Sequence, residues 1–133
     1  MPIATVTKDV LLALSPDASA PALARRKIER EARLDADIAH TVLLLSTELV
    51  SNAVRHAGLD ADEKIVVFAS SHPDLVRVEV ADPGQGFDPD ADADGFGLRM
   101  VDKLASRWGV ETASGCRVWF EVDRRRRRFD RSE

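Results

Sequence analysis

The chain has 133 residues, the length of one domain at roughly 100 to 200 residues each, which leaves no room here for a two-domain enzyme. It is 44% hydrophobic and 32% charged, so there is apolar material for a core of two layers and no case for wholesale disorder. The formal charge of −4 is uneven: Arg124 to Glu133 holds six arginines against Asp130 and Glu133, leaving an acidic body that repels phosphates and argues against direct nucleic-acid binding.

Ala4 to Leu14 mixes β-branched and aliphatic residues and reads as a strand, closed by the turn signal Ser15-Pro16-Asp17. Val10 to Leu14 followed by Ala18-Ser19-Ala20 has the outline of a secretory signal, but the apolar stretch is too short and is preceded by Lys8-Asp9. No stretch approaches the ~18 apolar residues of a membrane span. A helix follows, with Ser19 as its expected N-cap and Pro21 just inside, ending within the charged Arg25 to Arg33 segment. The clearest helix runs from about Asp35 to Ala57, where Ile38, Val42, Leu45 and Leu49 recur at helical spacing and Gly58 is the stop.

Lys64 to Ser70 and Leu75 to Ala81 read as a hairpin with one buried face, because Val76, Val78 and Val80 alternate with Arg77 and Glu79. Asp82 to Asp94 has no periodicity, five aspartates and no basic residue, and reads as a loop. Gly97 to Ser106 reads as a helix with Leu98, Val101 and Leu104 inward. Two last strands are expected over Arg107 to Glu111 and Cys116 to Val122, the second with Cys116, Val118, Phe120 and Val122 on one face. Residues 1–123 thus form one domain, and residues 124–133 a basic tail with no apolar anchor.

Three patterns carry chemistry. On the long helix Glu48, Asn52 and Arg55 fall at i, i+4 and i+7, which puts a carboxylate, an amide and a guanidinium on one stripe. Asp82 ends a hydrophobic strand and is followed by Pro83-Gly84-Gln85-Gly86, so a fixed carboxylate stands beside glycines that let backbone pass close to a ligand. Gly95-Phe96-Gly97-Leu98 opens the next helix, whose free N–H groups and dipole favour an anion.

Taken in order, Glu48-x-x-x-Asn52-Ala53, Asp82-x-Gly84-x-Gly86 and Gly95-x-Gly97-Leu98 resemble the motifs of the GHKL superfamily of ATP-binding domains, and most closely its anti-sigma-factor serine kinases. The resemblance runs from the first strand to Val122. It implies a Bergerat-type fold: an α/β two-layer sandwich with a mostly antiparallel, mixed sheet and helices on one face. It implies Mg²⁺ and ATP as ligands, Glu48 as general base, Asn52 as magnesium ligand, and Asp82 as acceptor for the adenine amino group. Gly84, Gly86, Gly95 and Gly97, with Phe96 and Leu98, would flank the nucleotide and its lid, and Arg55 and His56 would lie near the phosphates. Cys116 departs from the resemblance, standing where many members have threonine. The implied function is an anti-sigma factor with serine/threonine kinase activity, whose partners are a sigma factor and a STAS-type antagonist, and the branch is usually dimeric. An ATP-gated binding module without phosphotransfer and a detached histidine-kinase-like ATPase domain are the alternatives. With Asp88, Asp90, Asp92 and Asp94 near the lid glycines in sequence, and Arg55 and Arg99 as the candidate cations, transfer is expected to be slow.

Other readings fail on particular residues. Asp90 to Gly95 opens like an EF-hand loop, but its twelfth position is Val101 where a bidentate Glu is needed. No phosphate-binding Gly-x-x-x-x-Gly-Lys-Ser/Thr run exists. Cys116 with three scattered histidines, His40, His56 and His72, makes neither an internal disulfide nor a Cys-rich zinc site, and suits a reducing, cytoplasmic setting. Trp108 and Trp119 read as packing residues.

Overall fold

The computed structural model describes residues 8–84 and 96–124. The elements are β1 (Lys8–Leu14), α1 (Ala20–Glu31), α2 (Ala36–His56), β2 (Ile65–Ser71), β3 (Leu75–Asp82), α3 (Phe96–Leu104), β4 (Arg107–Glu111) and β5 (Cys116–Asp123). Residues 4–7 of the expected first strand lie outside the described residues, as do 85–95 and 125–133.

Local chemistry sets the ends of the helices. Pro21 sits in the first turn of α1, where its missing N–H costs nothing. Ser19, the expected cap, makes no side-chain cap bond. Its hydroxyl and amide instead donate to Asp17 Oδ1 at 2.5 and 2.9 Å, and these donors, the hydroxyl first, hold the Asp17 carboxyl below its usual range. The stop of α2 is Gly58 at φ 65°, a left-handed conformation that costs glycine little.

Ile38, Val42, Leu45 and Leu49 are buried, as their spacing predicts. So are Leu43, Ser46, Val50, Asn52 and Ala53, because α1, α3 and the sheet all pack against this helix. In α3, Leu98 and Val101 are buried but Leu104, expected inward, is 41% exposed. The helix ends there, and the chain turns away to pair the Ser106 N–H with the Glu121 carbonyl at 2.8 Å.

The five strands form one sheet in the order β1-β2-β3-β5-β4. Every pairing is antiparallel, so the expected two-layer α/β architecture is present while its parallel component is absent among the described strands. From α3 the chain passes to β4 at the sheet edge, and a hairpin returns β5 between β4 and β3, antiparallel to both. Val10, Leu14, Ile65, Val67, Val76, Val78, Val80, Val118, Phe120 and Val122 are buried, each contributing about 1.5–3 kcal/mol of hydrophobic stabilisation at full burial.

The opposite face of the sheet carries charge. Arg77 donates to Glu79 Oε2 and Glu121 Oε2 at 3.0 and 2.9 Å and lies 4.2 Å over the Trp119 ring. Arg107 donates to Glu121 Oε1 at 2.7 Å and to Asp123. A Cβ on Gly109 would stand 2.7 Å from Trp119 Nε1, so the glycine makes room for the indole.

Arg124, which the sequence assigns to the tail, belongs to the folded body. Its guanidinium donates to the His72 and Arg33 carbonyls at 2.7 and 2.8 Å, to Asp35 Oδ2 at 3.0 Å and to Ser71 Oγ at 2.6 Å, which ties the end of β5 to the α1–α2 junction. Among the described residues no helix is long and apolar enough to cross a membrane.

Candidate functional site

The C-terminal half of α2 crosses the sheet where β3 and β5 pair, and a small cleft, partly open to solvent, lies between them. Leu49, Ala53 and Ala57 of the helical side face Val80 and Val118 of the sheet, giving two apolar walls. Three polar or polarisable side chains complete the lining: Asn52, Asp82 and Cys116.

Asp82 is the last residue of β3 and pairs with Cys116, the first of β5. Its Oδ1 accepts the Gly84 N–H at 2.8 Å, which orients the carboxylate. Burial pushes the Asp82 carboxyl above its usual range; the Gly84 hydrogen bond acts against this and the nearby Glu63 charge adds to it. A carboxylate kept in an apolar cleft at this cost is suited to a ligand that supplies hydrogen-bond donors.

Two glycines make the Asp82 corner possible. A Cβ on Gly84 would stand 2.5 Å from the Ala57 carbonyl oxygen and 2.9 Å from Asp82 Oδ1. Gly115 has φ 89°, and a Cβ there would collide with the Asp82 carbonyl oxygen. Gly84 was legible in the sequence as a glycine of close approach. The need for Gly115 was not, because it arises from the β4–β5 turn meeting the end of β3.

On α2, Asn52 is 7% exposed and lines the cleft. Arg55, on the exposed side, donates from Nη2 to Asn52 Oδ1 at 2.9 Å and from Nη1 to Ser51 Oγ at 2.6 Å. Glu48 is half-buried one turn before Asn52. The stripe read from sequence is therefore real, but its contact runs from Arg55 to Asn52 and not to Glu48. His56, the last residue of α2, is exposed and does not line the cleft. Leu98 is buried in α3 without lining the cleft. Phe96 and Gly97 form the first turn of α3, whereas Gly86 and Gly95 lie outside the described residues, with Asp88 to Asp94.

Leu49, Ala53, Ala57, Val80, Cys116 and Val118 were not anticipated as site residues. Leu49, Ala53 and Ala57 recur every four residues, a helical row beside Asn52, and Val80, Cys116 and Val118 lie on the inward faces of their strands. Periodicity marks such residues as core without saying that part of the core is open.

Among the described residues no group of three or more His, Cys, Asp or Glu side chains could hold a metal ion by itself. Asn52 offers a hard amide oxygen, which fits Mg²⁺ as that ion is usually held: by one or two protein oxygens, with phosphates and water completing the shell.

Comparison with known proteins accords with this geometry. Residues 14–121 match the histidine kinase-like ATPase domain, and the chain belongs to that family, whose domain type implies ATP binding. Among solved structures it is similar to the RsbU and RsbW domains of Rv1364c from Mycobacterium tuberculosis, with a TM-score of 0.70 and 23% identity, over 90% of this chain and 34% of that one. The likeness is one of fold, and this chain spans about a third of that structure's chain. No curated protein matches.

Proposed function

We propose that this protein is a Mg·ATP-dependent regulator of the anti-sigma-factor type, which holds a sigma factor inactive and transfers the γ-phosphate to a serine or threonine of a small STAS-type antagonist. The observation that carries the reading is the apolar cleft with Asp82 on one side and Asn52 on the other, in a chain of the histidine kinase-like ATPase family. The RsbW domain in the similar structure supports the choice of branch.

Each residue has a definable task. The ionised Asp82 accepts the adenine N6 amine and would face a keto oxygen in guanine, so one contact selects the base. The apolar walls take the faces of the ring. Asn52 Oδ1 would hold magnesium, which would supply neutralisation of phosphate charge. Glu48, one turn before Asn52 and without a hydrogen bond or ion pair among the described residues, orients the acceptor hydroxyl and takes its proton. The sequence from Asp82 to Asp94 has five aspartates and no basic residue, so it supplies no cation to offset charge at the γ-phosphate, and transfer is slow.

Two measurements test the proposal: calorimetric titration with ATP and GTP, and single-turnover transfer of labelled phosphate to candidate antagonists. Preference for ATP, with slow transfer that disappears in Glu48→Ala while binding remains, is the expected result. Equal affinity for ATP and GTP overturns the assignment of Asp82. Binding without transfer to any antagonist would leave the ATP-gated binding module as the better reading.

A further inference from the structure

The hydrogen bond from Arg55 to Asn52 has a direct bearing on the metal site. Asn52 is the buried polar residue that α2 contributes to the cleft, and its Oδ1 is engaged at 2.9 Å by Arg55 Nη2, with the guanidinium anchored a second time at 2.6 Å on Ser51 Oγ. Ser51 and Asn52 are the i−4 and i−3 neighbours of Arg55, so one planar fork reaches both. A magnesium ion on the same oxygen would sit about 2.1 Å from it, no more than about 5 Å from the guanidinium nitrogen. Two positive charges that close oppose each other strongly in a partly buried cleft.

We propose that Arg55 is a positioning residue that stands in for the divalent cation: it holds Asn52 Oδ1 until magnesium enters with the nucleotide, and it must leave for the metal to bind. The inference rests on the Mg·ATP reading above. Magnesium affinity is then set by how firmly Arg55 is held as well as by Asn52, and Ser51 is the second half of that hold.

The test is the half-saturating magnesium concentration for binding a non-hydrolysable ATP analogue, measured by calorimetry with the analogue in excess, in wild type, Arg55→Met and Ser51→Ala. Arg55→Met is expected to lower it by about tenfold and Ser51→Ala by about threefold, the scale of one charge-assisted and one ordinary hydrogen bond. Ser51→Ala removes no charge, so a fall there is not a general effect of deleting a cation. A value unchanged or raised in Arg55→Met overturns the proposal; should that variant fail to fold, an unchanged or raised value in Ser51→Ala overturns it alone. If the wild type binds no analogue at any magnesium concentration, the ATP reading itself fails. That result is distinct from failure of the gate, in which all three proteins bind with the same magnesium requirement.

Discussion

Asp82 and Glu121 stand on neighbouring strands of one sheet, and their surroundings push them in opposite directions. Asp82, lining the helix-covered cleft, has its carboxyl raised, first by burial. Glu121, on the face away from the helices, has its carboxyl lowered, first by the Arg107 hydrogen bond; burial acts against this, and Arg77 lowers it further. The outer face surrounds its acid with guanidinium groups and gains stability from it. The inner face leaves its acid in an apolar setting and loses some. A carboxylate that is costly to the fold and, among the described residues, matched by no cation marks the face where a ligand belongs.

The largest expected effect of breaking this contrast is at the corner that holds Asp82. Gly115→Ala should destabilise by about 2–3 kcal/mol, since it adds left-handed strain to a clash with the Asp82 carbonyl; urea denaturation measures this, and nucleotide affinity should fall with it. Arg124→Ala should cost about 1–2 kcal/mol, because it removes the donor to part-buried acceptors, the His72 carbonyl and the Ser71 hydroxyl, at the joint between sheet and helices. An unchanged denaturation midpoint would show that this joint is dispensable.

Asp82→Asn sharpens the comparison. It should weaken ATP binding by about 1–3 kcal/mol while raising the melting temperature at neutral pH. The sign follows from the raised folded pKa: the wild type's stability from this group is fully present below the unfolded pKa and is lost as pH rises through the folded one. The variant should be flat across that window. Wild-type ATP affinity should fall as pH drops through the same pKa, since only the ionised form offers acceptors alone.

The smallest effect is expected on the outer face. Glu121→Gln should cost about 1 kcal/mol above pH 5 or so, since its partners are partly solvated, and leave ATP affinity unchanged. Here the folded pKa is depressed, so the stability is present above the unfolded pKa and is lost as pH falls through the folded one. A change in ATP affinity in Glu121→Gln would mean that the two faces are coupled.

The sequence by itself determined the elements and the motif residues, because both rest on interactions between near neighbours. Helical spacing of Ile38, Val42, Leu45 and Leu49, alternation from Cys116 to Val122, and the glycine stop at Gly58 are dictated by backbone geometry within a few residues. Glu48, Asn52 and Asp82 were legible for the same reason, as a helical stripe and a strand end. Only the tertiary structure decided what depends on partners distant along the chain. It set Cys116 opposite Asp82, made glycine necessary at Gly115 and brought Arg124 back to Arg33 and His72. It made the sheet antiparallel throughout its described strands by inserting β5 between β3 and β4. The choice of Arg55 between Glu48 and Asn52 was open in the sequence, where both share its stripe. It was decided by where the fold leaves the Asn52 oxygen, within reach of the guanidinium at the edge of the cleft.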